Sequence, residues 1–255
     1  MSTPGLSRRR QLLLVHGWGM APAHWAPLRE HLDGAFDLST PALPGHGGAD
    51  PQPGWQPESL ADQWVDAFPD RLWIAWSLGG LVALAAALRH PRRVQGLVLI
   101  GATPCFVSNE AWPHGMSPSQ FRAFRKQCLA DPQGTLIQFT ALQMQADRRG
   151  LVGLRALRAQ AANAPAPHPE GLQQGLDVLE TTDLRGGLSS IDVPTLWLTG
   201  GGDSLTPPAA AEWAVSRQSQ ARSRILEDAG HAPFITHPTT LTELIHDWLR
   251  ELDVS

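Results

Sequence analysis

The chain is poor in the residues that mark several functional classes. Two cysteines, Cys105 and Cys128, occur in 255 residues, too few for a disulfide framework and in keeping with a reducing compartment. No His/Cys spacing reads as a zinc site, so neither metal nor cofactor is expected. Lysine occurs once, as Lys126, against nineteen arginines among the twenty basic residues. It alone could form a Schiff base, and no motif surrounds it. There is no G-x-x-x-x-G-K-[ST] phosphate loop, and Gly200-Gly-Gly-Asp-Ser204 lacks the lysine such a loop uses. No G-x-G-x-x-G fingerprint follows a strand. A net charge of −4 gives no reason to expect nucleic acid. No stretch approaches the roughly 18 apolar residues of a membrane span. The start, Ser7-Arg-Arg-Arg-Gln-Leu-Leu-Leu-Val15, faintly resembles a twin-arginine export signal, but its apolar run, Leu12–Val15, is too short for one. The expectation is a cytoplasmic, soluble monomer with a frayed basic end.

What is present is strand–helix alternation. Leu12–Val15, Phe36–Ser39, Leu72–Trp76, Val94–Ile100, Thr195–Thr199 and Arg224–Leu226 read as strands. Most are continuously apolar, as parallel strands covered on both faces are. Leu78–His90 is apolar nearly all round and predicts a buried helix, ended at His90-Pro91. Thr239–Leu252 predicts a final amphipathic helix. This rhythm predicts an α/β fold with a mostly parallel, doubly wound sheet. It breaks after Gly101. Between Ser108 and Arg185 the patterns are helical, with Ser117 as an N-cap before Pro118. Phe121, Phe124, Cys128 and Leu129 are predicted to share one face, and Thr135–Met144 and Arg148–Asn163 continue as helices. The division expected is a core of residues 1–107 and 186–255 interrupted by a helical insertion, 108–185.

The stretch Trp73-Ile-Ala-Trp-Ser-Leu-Gly-Gly80 places Ser77 between an apolar strand and the buried helix. A nucleophilic serine on such a turn needs small neighbours two before and two after, because strand and helix pass close there. Ala75 and Gly79 satisfy this, although Ala75 stands where the G-x-S-x-G pattern has glycine. Serine needs a base held by an acid. His231, in Gly230-His-Ala-Pro-Phe234, and Asp203, after the strand Thr195-Leu-Trp-Leu-Thr-Gly200, lie at C-terminal strand ends, where doubly wound sheets place sites. Asp228 and Asp192 are rival acids. His16 and His46 are expected to be structural, and His24, His31, His90, His168, His237 and His246 solvated. The backbone N–H of Leu78 and that of Trp18, in His16-Gly-Trp-Gly19, would hold an oxyanion. Trp18, Trp76, Phe106, Phe139 and Leu142 are candidates to line an acyl slot. Between Met116 and Gln160 seven basic residues face two acidic ones, a patch able to steer an acidic protein. Arg148, Arg155 and Arg158 are predicted to share a helix face away from Leu151 and Leu154.

His16-Gly-Trp-Gly19, Ala75-Trp-Ser-Leu-Gly-Gly80 and Gly230-His-Ala-Pro-Phe234, in that order, resemble an α/β-hydrolase. More specific stretches run across most of the chain: Thr103-Pro-Cys-Phe106, Glu110-Ala-Trp-Pro113, Phe139-Thr-Ala-Leu-Gln143, Thr182-Asp-Leu-Arg185 and His231-Ala-Pro-Phe-Ile-Thr-His-Pro238. These resemble the pimeloyl-[acyl-carrier protein] methyl ester esterases of biotin synthesis. The resemblance implies a serine carboxylesterase with Ser77, Asp203 and His231 as triad. It also implies substrate contacts from Trp18, Leu78, Phe139, Thr140, Ala141, Leu142 and Gln143 under a helical lid, and an acyl carrier protein bearing a pimeloyl methyl ester as partner. Arg122, Arg125, Arg148, Arg155 and Arg158 are the residues expected to dock the carrier. Arg155 matches the family, whereas Gly134 and Gln138 stand where arginines are expected. Few residues precede the first strand, so an N-terminal hairpin is expected to be short. The alternatives are a general short-chain carboxylesterase or a prolyl-type aminopeptidase. A non-catalytic receptor on the same scaffold is disfavoured by the intact triad.

Overall fold

The computed structural model describes residues 9–254. The fraying expected of the N-terminal end, and the short hairpin before the first strand, fall mainly on residues 1–8, outside the described residues. Among the described residues six strands form one sheet: β1 (Arg10–Val15), β2 (Phe36–Ser39), β3 (Arg71–Trp76), β4 (Val94–Ile100), β5 (Thr195–Gly200) and β6 (Ala221–Leu226). Their order is β2-β1-β3-β4-β5-β6 and every pairing is parallel. From β1 the chain adds β2 on one side and β3 on the other, which makes the β1/β3 boundary the switch point where α/β sheets open a crevice.

Helices surround the sheet: α1 (Ala26–Leu32), α2 (Pro57–Ala67), α3 (Leu78–Arg89), α4 (Pro118–Ala130), α5 (Pro132–Gln143), α6 (Gly150–Ala162), α7 (Pro169–Thr181), α8 (Pro208–Val215), α9 (Pro233–Thr236) and α10 (Pro238–Val254). Helix α3 is buried from Leu78 to Ala87, as its all-apolar sequence requires. The edge strand β6, Ala-Arg-Ser-Arg-Ile-Leu, alternates exposed and half-buried residues. That alternation is why only its apolar end reads as strand. Among the described residues no helix is long and apolar enough to cross a membrane.

Helices α4 to α7 lie between β4 and β5, with no strand of the sheet among them. Ser117 caps α4 as expected, its hydroxyl accepting from the Gln120 N–H. Phe121 and Cys128 face inward, whereas Leu129 points out, 54% exposed. Helix α6 begins at Gly150, so Arg148 lies in the turn before it and not on its face. Gly153 and Leu157 are its buried residues, and Leu151 is 77% exposed. The lack of a side chain at Gly153 lets this face pack against Met144 and Thr236, and Leu151 is thereby rotated to solvent.

Candidate active site

Ser77 stands between β3 and α3 with φ 54° and ψ −120°. Such a conformation is costly for a side chain bearing a Cβ and persists only where the surroundings impose it. Here the Ser77 N–H donates to the Ile100 carbonyl at 3.0 Å. A Cβ added at Gly79 would fall 2.5 Å from the Val15 carbonyl oxygen, so only glycine lets α3 pass the end of β1. Ala75 is fully buried within β3, between Val15 and Leu99, so alanine fits at the position where the motif has glycine. Gly17 brings the loop after β1 against the serine; a Cβ there would lie 3.0 Å from the Ser77 Cβ.

Asp203 follows β5 and His231 follows β6. The His231 Nδ1 lies 2.8 Å from Asp203 Oδ2, and both side chains are buried. The other donors to this carboxylate define its role. Oδ1 accepts the N–H groups of Leu205 and Thr206, each at 2.9 Å, and Oδ2 also accepts the Thr206 hydroxyl at 2.7 Å. An ionised carboxylate only accepts, so the proton in the His231 contact sits on Nδ1 and Nε2 carries a lone pair. That Nε2 is buried and has no hydrogen-bond partner among the described residues. Trp76 supports the ring, its indole N–H donating to the His231 carbonyl at 3.0 Å. Trp76 thus packs behind the base against Trp25 and Phe234 and takes no part in lining the cavity beside Ser77. The rival acids stand elsewhere: Asp228 pairs with Arg148 at 3.0 Å, and Asp192 is exposed. Thr206 holds the acid through both backbone and hydroxyl, a role that sequence reasoning misses. The one signal there is a Thr three residues after Asp203.

A narrow apolar cleft opens beside Ser77, bounded by Trp18, Phe106, Phe124, Phe139, Leu142 and Leu205 among others. Trp18 is fixed by its indole N–H donating to the Leu172 carbonyl at 2.8 Å and by edge-on contact with Phe139 at 5.1 Å. Leu78 is the first residue of α3, so its N–H has no intrahelical acceptor. Of the segment 139–143, Phe139 and Leu142 reach the cavity. Thr140 turns its hydroxyl back to the Leu136 carbonyl at 2.7 Å, Ala141 is exposed, and Gln143 is buried with neither amide atom bonded. A larger open groove lies at the opposite end of the sheet, by Arg10, Leu72 and Ala221, far from the serine and histidine.

Behind the loop after β1 stand His16, His24 and His46, all buried. The burial of His24, expected to be solvated, follows from its ring nitrogen accepting the Ala21 N–H at 3.0 Å. His16 accepts the Leu43 N–H at 3.0 Å, and His46 bonds the Pro44 carbonyl at 2.8 Å. Burial lowers the pKa of His46 to about 4 and that of His16 well below the usual value, with the neighbouring His46 acting in the same direction on His16. A histidine whose folded pKa lies below its unfolded one takes up its proton preferentially in the unfolded chain. The stability present above about pH 6.5 is therefore lost as pH falls toward 4. His46 alone accounts for about 2 kcal/mol lost by pH 5. Thermal unfolding followed from pH 7 to pH 5 checks this: the midpoint falls, and falls less steeply in His46→Gln. Equal slopes would rule out His46 as the source.

The chain matches the family described as alpha/beta hydrolase fold over residues 11–238. It is 43% identical over 248 residues to a pimeloyl-[acyl-carrier protein] methyl ester esterase from Aromatoleum aromaticum, covering 95% of this chain and 99% of that one. It is 39% identical over 232 residues to a protein of the same name from Stenotrophomonas maltophilia, covering 90% and 89%. An esterase structure from Exiguobacterium antarcticum superimposes with a TM-score of 0.84 at 22% identity, over 96% of this chain and 93% of that one.

Proposed function

We propose that this chain, which belongs to the α/β-hydrolases and within them to the pimeloyl-[acyl-carrier protein] methyl ester esterases, hydrolyses the methyl ester on the far carboxylate of a carrier-bound pimeloyl chain in biotin synthesis. The protein is a carboxylic ester hydrolase. The observation that carries the mechanism is the 2.8 Å contact of His231 Nδ1 with Asp203, which leaves Nε2 without a partner.

Ser77 Oγ attacks the ester carbonyl carbon while its proton passes to His231 Nε2. Asp203 holds the ring's tautomer and stabilises the imidazolium. The N–H groups of Trp18 and Leu78 bind the oxyanion, each such donor worth about 3 kcal/mol in related chemistry. Collapse expels the methoxy group, which takes the proton from His231 and leaves as methanol. Water then attacks the acyl-enzyme, giving its proton to Nε2. The second collapse releases the pimeloyl carboxylate and returns the proton to Ser77. Phe139 and Leu142 hold the methylene chain.

Helices α4 to α7 form the lid, and its outer surface docks the acyl carrier protein. Arg125 is already paired with Asp177 and Glu180, and Arg148 with Asp228. Arg122, Arg155 and Arg158 are exposed and enter no ion pair among the described residues. Leu151 and Val152, 77% and 66% exposed, lie on the same helix as Arg155 and Arg158. Cationic side chains beside exposed apolar ones suit an acidic partner that also buries some surface. In Arg155→Glu/Arg158→Glu, kcat/KM for the pimeloyl-carrier methyl ester is expected to fall about tenfold to a hundredfold, chiefly through slower association. Hydrolysis of p-nitrophenyl acetate stays within about twofold. Equal loss on both esters would place the arginines in folding, and no loss on either would place docking elsewhere. A wild-type enzyme that cleaves small esters but not the carrier-bound one is a general esterase.

A further inference from the structure

The end of α5 at Gln143 and the turn to α6, residues 144–149, lie across the two loops that carry Asp203 and His231. Their contacts go mainly to backbone. The His231 N–H donates to the Gln143 carbonyl at 3.0 Å, and the Arg148 N–H to the Asp228 carbonyl at 2.9 Å. Asp147 sits at the centre. Its Oδ2 accepts the Gly230 N–H at 2.9 Å and the Thr236 hydroxyl at 2.7 Å, and its Oδ1 accepts the Arg149 N–H at 2.7 Å. One carboxylate thus grips the residue before His231 and a residue five after it. The approach is close on both loops. A Cβ at Gly230 would lie 2.8 Å from the Gln143 carbonyl oxygen, and one at Gly202, beside Asp203, 2.8 Å from the Ala146 Cβ. Ala146 adopts φ +61°, a left-handed conformation uncommon for alanine, to make the turn.

We infer that Asp147 is a positioning residue for the reaction: from the helical insertion it sets the place of the His231 imidazole by fixing the backbone on both sides of it. The inference rests on the esterase reading for its catalytic consequence and on the hydrogen bonds alone for its structural one. His231 lies in the loop at the sheet end, outside the four-residue helix α9 that follows it, and a displacement of about 1 Å at a reacting group costs about a hundredfold in rate. Asp147 supplies acceptors for donors that would otherwise be free to drift.

The test compares Asp147→Ala with Asp147→Asn, which keeps one acceptor oxygen for Gly230 and Thr236 and gives up only the Arg149 N–H, a bond that does not touch the His231 loop. Activity on p-nitrophenyl acetate is normalised by fluorophosphonate titration of Ser77, well below the unfolding midpoint. In Asp147→Ala, kcat is expected to fall about tenfold to a hundredfold with KM within about twofold. In Asp147→Asn most of that loss is recovered. Amide hydrogen exchange supplies the second readout: Gly230 and His231 exchange at least about tenfold faster in Asp147→Ala and near the wild-type rate in Asp147→Asn. An unchanged kcat in Asp147→Ala overturns the inference, as does unchanged exchange. Equal loss of kcat in both variants, with Gly230 exchange near the wild-type rate in Asp147→Asn, also overturns it, because the acceptor is then kept and the activity is not. Should Asp147→Ala not fold, Thr236→Val, which removes one of the two bonds, is read in the same way. A wild-type enzyme inactive on every ester sinks the esterase reading, while the exchange comparison still decides this one.

Discussion

Ser77→Ala is expected to lower turnover of the pimeloyl-carrier methyl ester by about 10⁴ to 10⁶-fold while leaving the fold and KM close to wild type. The size follows from what is lost: every covalent step passes through the serine oxygen. Alanine keeps the Cβ, and so keeps the backbone strain at φ 54° and the contact with Gly17; neither side-chain packing nor secondary structure need shift. What survives is the oxyanion site and substrate binding, which in serine hydrolases give a residual rate well above that in water. The loss is therefore not additive. His231→Ala should cost about as much as Ser77→Ala, and the double variant little more, because the nucleophile and its base act as one unit. Steady-state kinetics of the three variants, with circular dichroism to confirm folding, decide the matter. A Ser77→Ala enzyme retaining more than about 1% of wild-type kcat would mean that another group attacks the ester.

The parts of this site readable from sequence are those whose signal is local. Ser77 and Gly79 follow from a continuous apolar strand running into an apolar helix with small residues at the crossing. His231 and Asp203 follow from strands ending in loops on the same side of a parallel sheet. Sequence reasoning falters where tertiary contacts decide. Trp76 reads equally well as pocket wall or core, and only the fold turns its indole toward the His231 carbonyl. Leu151 reads as the apolar face of α6, but the helix starts two residues later than its pattern implies, and Gly153 makes the buried contact. His24 reads as a surface residue until the loop after β1 closes over it. Thr206 and Asp147 carry no periodicity or motif at all. Each acts through a single hydrogen-bonded geometry joining segments far apart in the chain, which composition and spacing do not encode. The basic surface lies between these cases: the excess of arginine is plain in the sequence, but which arginines are neutralised depends on partners such as Asp177, Glu180 and Asp228, supplied by other elements.

Asp203→Asn is expected to lower kcat by about 10⁴-fold, although it changes no volume and removes no hydrogen-bonding atom. The reason lies in the four donors around the carboxylate. Oδ1 faces two backbone N–H groups, of Leu205 and Thr206, which cannot rotate away or become acceptors. The amide oxygen of asparagine must therefore occupy that side, and its NH₂ must occupy the Oδ2 side, where His231 Nδ1 stands at 2.8 Å. The Thr206 hydroxyl, at 2.7 Å, can turn to accept from that NH₂. Nδ1 then accepts as well, and the imidazole proton moves to Nε2. A protonated neutral Nε2 has no lone pair for the proton of Ser77, so the ring stays in place with the wrong tautomer. The expected profile is a fall in kcat with KM near wild type and an unfolding midpoint changed by no more than a few degrees. The same substitution at Asp228, the rival acid that pairs with Arg148 on the surface, should leave kcat within about twofold. Transient kinetics with p-nitrophenyl acetate separate the steps, since the wrong tautomer slows acylation itself and abolishes any burst. Asp203→Asn with more than about a tenth of wild-type kcat would show that some other group sets the imidazole tautomer, and Asp203 would then be no more than a buried hydrogen-bond acceptor.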